Sequence, residues 1–452
     1  MASTASAAAI SPPTTESSGT AKLFVFAFVL VLVAEFIGNV NIPLGSAKIV
    51  LLPLLWALLM GAAIGLASKR LPPGLSVGVE LQKTAAAILQ PALLMFIAKL
   101  ALLVGGSLPK LAASGFGLVF QEFGHFFGTM VFGLPIALLL GIKRQAIGAT
   151  FSVGREPSLA IIGEKYGMQS PEGQGVLAEY LTGTVFGAVF IAIVAGLVTS
   201  TGIFNPLALA MGAGVGSGSM MAAAAGSIAA QQTPEVAKDV ATFAAASNLI
   251  TTTIGTYFTL FLSLPFTIWA YGKLEPLIGR RSAATIDDEP RIAGDVHESA
   301  ASLSWPALVC TWILVGCFAF AGNWITYKTS PFDPAVLGGM AIIVGVVIIG
   351  YSLYRLTSRN LPAVVWVSLV GMAFTFPAFP GSAAIAGMTG KINFLALSTP
   401  LLAFAGLSIA KDVPAFRRLG WRIVVVSFAA NFGTFIGAAI IAQFFMHHPL
   451  GG

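Results

Sequence analysis

Ser152-Val153-Gly154-Arg155-Glu156-Pro157-Ser158 puts an arginine, a glutamate and a proline among small residues, and Gly216-Ser217-Gly218-Ser219 follows 64 positions on. Successive Gly and Ser residues let backbone N–H groups converge on a ligand. A helix starting just beyond them turns the positive end of its dipole to an anion. Arg155 adds a planar fork suited to a carboxylate, whereas the second cluster supplies neutral donors only. An ion pair from Arg155 to Glu156 or Glu179 is the structural alternative. The chemistry indicated is recognition of a small anion, not catalysis. No metal-ligand cluster, nucleophile triad or nucleotide loop appears, and Gly212-x-Gly214-x-Gly216 lacks the strand–helix setting and acidic partner of a dinucleotide site. Neither an enzyme nor a cofactor is expected, and no nucleic-acid partner.

These clusters need an unusual frame. The 452 residues are 56% hydrophobic and only 9% charged, with a mean hydropathy of +0.89. That composition predicts an all-α polytopic membrane protein. Spanning-length apolar runs fall at about 22–38, 49–68, 84–104, 115–140, 176–199, 240–270, 304–322, 335–354, 361–379, 393–410 and 421–446. They predict about 11 transmembrane helices. Two interrupted segments, about 145–165 and 207–229, are left over and hold the two clusters. Irregular backbone survives at membrane depth only where protein or a watery cavity satisfies it. Paired interruptions point to a transporter's binding site.

The interruptions look like copies. A shift of 64 sets Gly148 on Gly212, Ala149 on Ala213 and Gly154 on Gly218, and the turns Ser170-Pro171-Glu172 and Thr233-Pro234-Glu235 follow in turn. If both segments re-enter, one face holds 17 basic residues and the other five, Lys48, Lys110, Lys238, Lys328 and Lys391. If only the second crosses, the split becomes 10 to 12. The positive-inside rule prefers the first arrangement over a single crossing, and fixes parity only, since two crossings fit the later loops equally well. The glycines and the polar Arg155-Glu156-Pro157 favour two re-entrant hairpins, with a cytoplasmic N-terminus and the C-terminus outside. A second repeat, at a shift of 305, sets Phe127-Gly128-Thr129 on Phe432-Gly433-Thr434. Both repeats are inverted under that topology.

The expected organisation is a disordered tail at 1–21, scaffold helices at 22–141, a transport core at 142–272, a cytoplasmic linker at 273–303 and scaffold helices at 304–452. Behind the hairpin tips, Glu179, Thr182, Thr184, Asn248, Thr251 and Thr252 are candidates for a coupling ion, with interhelical hydrogen bonding as the alternative. Glu122 and His125 share a helix face and suit either a proton relay or a structural pair within the scaffold. Lys99 sits mid-span, and Glu35, near a helix end, is expected to reach the interface. Cys310 and Cys317 lie two turns apart, roughly 10 Å, too far for a disulfide, and read as packing residues.

The stretch from about 145 to 270 resembles the LrgB/CidB family, which includes the plastid glycolate/glycerate translocator. The residues that carry the likeness are Ser152 to Pro157, Leu181-Thr182-Gly183-Thr184-Val185-Phe186-Gly187-Ala188, and Leu207 to Gly214. Where that family has small hydroxyl residues before the proline, this chain has Arg155-Glu156. Glu164-Lys165-Tyr166-Gly167 is similar to a segment of bacterial glutamate:sodium symporters. The overall layout looks like a family of bacterial inner-membrane proteins. The expected function is a secondary transporter of a small organic anion, a mono- or dicarboxylate or an amino-acid-like acid, coupled to Na⁺ or H⁺. Inverted repeats lead one to expect rigid-body alternating access, with elevator-type sliding as the specific expectation. Membrane lipids are the surrounding partner and a homodimer is a candidate assembly. A holin-like channel or a regulatory membrane protein is the alternative.

Overall fold

The structure, a computed structural model, describes residues 14–44, 47–72, 74–113, 116–168, 170–279, 303–357, 362–417 and 420–447. Helix α1 (Thr14–Ile37) leads into an antiparallel hairpin of β1 (Val40–Leu44) and β2 (Ala47–Leu51). Then come α2 (Pro53–Ala67), α3 (Val79–Ala113) and α4 (Gly117–Leu139). The first interrupted segment is α5 (Gln145–Thr150) and α6 (Arg155–Tyr166). It is followed by α7 (Pro171–Thr182), a π-helical turn (Gly183–Gly187) and α8 (Ala188–Ser200). The second is α9 (Pro206–Ala213) and α10 (Gly218–Ala229), followed by α11 (Pro234–Thr253), α12 (Gly255–Phe258), a second π-helical turn (Thr259–Ser263) and α13 (Leu264–Ile278). The chain ends with α14 (Trp305–Ile325), α15 (Pro334–Leu356), α16 (Ala363–Thr375), α17 (Ser382–Gly390), α18 (Phe394–Ile409), α19 (Val413–Arg417) and α20 (Trp421–His447).

Among the described residues, seven helices are long and apolar enough to cross a membrane, or eight if the pair α17–α18, bent by 59°, is one span. The remaining runs in the sequence became shorter pieces. The run at 49–68 spends its first residues in β2 before Pro53 opens α2, and the run at 361–379 ends as a helix at Thr375. The run at 240–270 breaks after Thr253. α1 begins at Thr14, so the end of the expected tail is helical. Residues 1–13, and the linker from 280 to 302, lie outside the described residues.

Small residues set the packing. A Cβ on Gly124 would strike the Gly437 carbonyl, and one on Gly128 the Gly433 carbonyl. α4 and α20 therefore run antiparallel with their backbones in contact at two facing Gly-x-x-x-Gly motifs, the close approach that small residues permit in membranes. Gly61 and Gly65 of α2 face Ala403 to Ala410 of α18, and Gly371 of α16 faces Ala98 to Leu102 of α3. In both of those pairs the facing positions advance together, so the helices run parallel. Large apolar side chains on the outside, such as Val29, Val131, Ile349 and Phe444, are exposed, as lipid-facing surfaces require.

Candidate functional site

In the first interruption α5 ends at Thr150, and Gly154 caps α6 after the non-helical Ser152-Val153. The Ser152 hydroxyl accepts from the Gly154 N–H at 3.0 Å, and the Ser158 hydroxyl donates to the Gly154 carbonyl at 3.1 Å. Pro157 occupies the first turn of α6, where a missing N–H costs nothing. The Phe151 carbonyl, left over by the end of α5, accepts from the Ser263 hydroxyl in the second π turn. The side chains of Arg155 and Glu156 lie outside the described residues; their backbones open α6.

The second interruption is built the same way with other residues. Gly216 takes a φ of 90°, a left-handed conformation that only glycine adopts freely. Ser217 caps α10 by accepting from Met220 N–H at 3.3 Å, and its oxygen lies 3.0 Å from that of Ser219. At the end of α9, α11 supplies side-chain donors: Asn248 donates to the Gly214 carbonyl at 2.7 Å, and Ser247 donates at 2.7 Å to the Met211 carbonyl, which also accepts from the Gly214 N–H. A side chain at Gly218 would meet Leu93 of α3, and one at Gly187 of the first π turn would meet Met220. Each polar turn that follows also ends in the same cap. Ser170 and Thr233 accept from N–H groups of α7 and α11, with proline next in line. Among the described residues no hydrogen bond joins the two tips. The first tip is bonded to the second π turn and the second to α11.

The coupling-ion candidates separate by contact. Thr182 donates to Ala178, Thr184 to Tyr180, and Thr252 to Asn248, all bonds within their own helices. Asn248 serves the backbone of the second interruption. Glu179 is buried in α7 and accepts from Asn431 of α20 at 3.3 Å. Thr251 donates to Glu122 of α4. Glu122 and His125 do not form the pair their spacing suggested: Glu122 reaches α11, while the His125 ring meets Thr434 of α20. Their helix lies against α5, α11, α13 and α20, beside the hairpins. Ser263, Ser247, Asn431 and Thr434 escaped the sequence reading. Asn431, a polar residue inside a long apolar helix, is the one that carried a signal.

Glu35 differs from expectation. It is buried, with Thr399 of α18 donating at 2.6 Å and Thr326 also donating to it. Burial, and then the Glu35 carboxylate, hold the neighbouring Tyr327 phenol above its ordinary range. Lys99 donates to the Thr389 carbonyl at 2.7 Å, in the last turn of α17, where the helix dipole favours a cation. Cys310 and Cys317 are free and exposed, so they are not packing residues. At the ends of α5, α7 and α13, Arg144 pairs with the buried Glu172 and Lys143 with Glu275.

Apolar helices of spanning length, glycine-mediated backbone contacts and an exposed apolar exterior define the class: an all-α, multi-pass membrane protein. The chain belongs to the DUF3100 family, described as proteins of unknown function, which it matches over residues 32–273. That match runs from the last six residues of α1 through most of α13 and takes in both interruptions. No curated protein and no solved structure matches the chain.

Proposed function

We propose that this chain is a secondary active transporter of a small organic anion, working by alternating access at the two interrupted helices in the bacterial inner membrane. One observation carries the reading: two helix breaks lie in the interior, each leading into a helix N-terminus with serine beside it, and each has a carbonyl bonded by a side chain from a distant segment, Phe151 by Ser263 and Gly214 by Asn248. A break maintained in this way is costly to build and serves a ligand that needs backbone donors. Arg155 at the start of α6 supplies the positive charge for a carboxylate. Ser152, Gly154, Pro157, Ser158, Gly216, Ser217, Gly218 and Ser219 form the remainder of the proposed binding site.

Several features support inverted repeats. α5–α6–α7 and α9–α10–α11 follow the same order of short helix, break, 12-residue helix and Ser/Thr-Pro cap. The antiparallel α4 and α20 carry the corresponding Phe-Gly-Thr runs. α4 lies on α5 and α11, as α20 lies on α9 and α7. The relative directions of α2 and α18, α3 and α16, and α4 and α20 agree with a topology in which the two interruptions behave alike, both re-entering or both crossing. Elevator-type movement of the hairpin core against α2, α3, α16 and α18 follows as the specific mechanism.

The test is counterflow exchange in proteoliposomes with labelled glycolate, pyruvate, succinate and glutamate. Saturable exchange of one of these, abolished by Arg155→Ala in a variant that still elutes as a monodisperse species, is the expected result. Unsaturable conductance would instead identify a holin-like channel.

A further inference from the structure

Glu122 is one of the buried acids that the binding of an anion does not use, with Glu35, Glu172 and Glu179. Its side chain is 1% exposed, and that of the adjacent Gln121 is fully buried. One carboxyl oxygen, Oε1, accepts from Thr251 of α11 and from the Gln121 amide, the latter at 2.8 Å. The other, Oε2, has no hydrogen-bond partner, and neither has Oε1 of Gln121. Among the described residues no lysine or arginine forms an ion pair with Glu122. An acceptor-only group of this kind, taken out of water, is costly unless a cation joins it. Two unclaimed oxygens are few for a dehydrated metal ion, which collects about six ligands. A proton needs one.

The position also suits coupling. Glu122 stands on α4 and Thr251 on α11, the helix whose next polar residues upstream, Asn248 and Ser247, hold the second interruption open. A carbon added at Gly255, just after α11, would come within 3.1 Å of Glu122 Oε2. Movement of the hairpin core would therefore change what faces that oxygen.

The other titratable groups on the packed elements are distant along their helices or engaged. His125, on α4 itself, meets Thr434. Glu235, Lys238 and Asp239 open α11, at least 12 residues or about 18 Å before Thr251. Tyr257 on α12 is exposed, and Tyr271, Lys273 and Glu275 lie at the far end of α13. Arg422 and His447 stand at the two ends of α20. α5 and α9 carry none.

We infer that Glu122 is the coupling group of the proposed transporter, a carboxyl that takes a proton on Oε2 from water on one side of the membrane and releases it to water on the other. This rests on the transport reading above, and the experiment keeps the two apart. Purified full-length protein is reconstituted, and accumulation of the labelled carboxylates is driven by a pH gradient or, separately, by a Na⁺ gradient. One coupled proton supports about tenfold accumulation per pH unit. Wild type should approach that under the pH gradient, and Glu122→Gln should fall to about onefold while keeping counterflow exchange. Thr251→Val, which removes the hydroxyl facing the carboxyl, should shift the pH profile of uptake without abolishing it.

Equal pH-driven accumulation by Glu122→Gln and wild type, or accumulation by Na⁺ alone, overturns the inference and leaves the transporter standing. Should wild type move none of the acids, the transport reading fails, and the melting temperature between pH 5 and 9 decides on Glu122. Curves for wild type and Glu122→Gln that diverge with pH support a titrating carboxyl. Curves that superimpose overturn it.

Discussion

Asn248 shows how a single side chain maintains a broken helix. Its amide claims the Gly214 carbonyl, a group that water cannot reach. Asn248→Leu strands that carbonyl at a cost of about 1–3 kcal/mol. A lowered melting temperature in detergent, larger than that of Thr252→Val, is the expected measurement, since Thr252 bonds only within its own helix. Gly216 tests the backbone rather than the side chain. With φ at 90°, Gly216→Ala should lose about 1–2 kcal/mol from the left-handed conformation alone. Had the chain relaxed into a continuous helix there, alanine would stabilise it, so the sign of the change in melting temperature decides. The sequence showed Asn248 as one polar residue in an apolar run. Whether it served an ion or a carbonyl depended on which backbone atom lay opposite, and spacing carries no information about that.

At the scale of helices, the contact of α4 with α20 is made of backbone. Nothing larger than hydrogen fits at Gly124, Gly128, Gly433 or Gly437. Gly433→Val should therefore cost about 3 kcal/mol or more, because a helix, and not a flexible side chain, has to move. Gly345→Ala on α15, where nothing lies within 4 Å, should stay within about 0.5 kcal/mol of wild type. Comparing the monodisperse yield and melting of these two variants separates close packing from a general intolerance of change at glycine. The repeated Phe-Gly-Thr runs drew attention to these two helices in the sequence. That they embrace each other beside the hairpins was not visible. Two apolar helices with small residues can pair with each other or with any similar face.

For the whole molecule, direction is the measurable consequence. With Cys310 and Cys317 replaced by serine, Thr201→Cys and Glu235→Cys should react with an impermeant thiol reagent from the same side of the membrane. These two exposed positions flank the second interruption. Labelling from opposite sides would mean that α9–α10 crosses, and the antiparallel α4 and α20 would then require α5–α6 to cross as well. In the sequence this expectation rests on the bias of basic residues to one face, since each lysine or arginine reports its side independently of any contact.

Composition and charge spacing alone determined the helical membrane class, the two interruptions and the Ser/Thr-Pro caps beyond them, because hydropathy, glycine content and capping act over a few neighbouring residues. The tertiary structure decided the rest. It moved Glu35 from the interface to the interior, sent Glu122 and His125 to different helices, and exposed the cysteines. It also gave carbonyls at each break side-chain donors from residues 34, 36 and 112 positions away. Those outcomes depend on which faces meet across the bundle. In a chain where most faces are apolar, the hydrophobic pattern says that helices pack without saying against what.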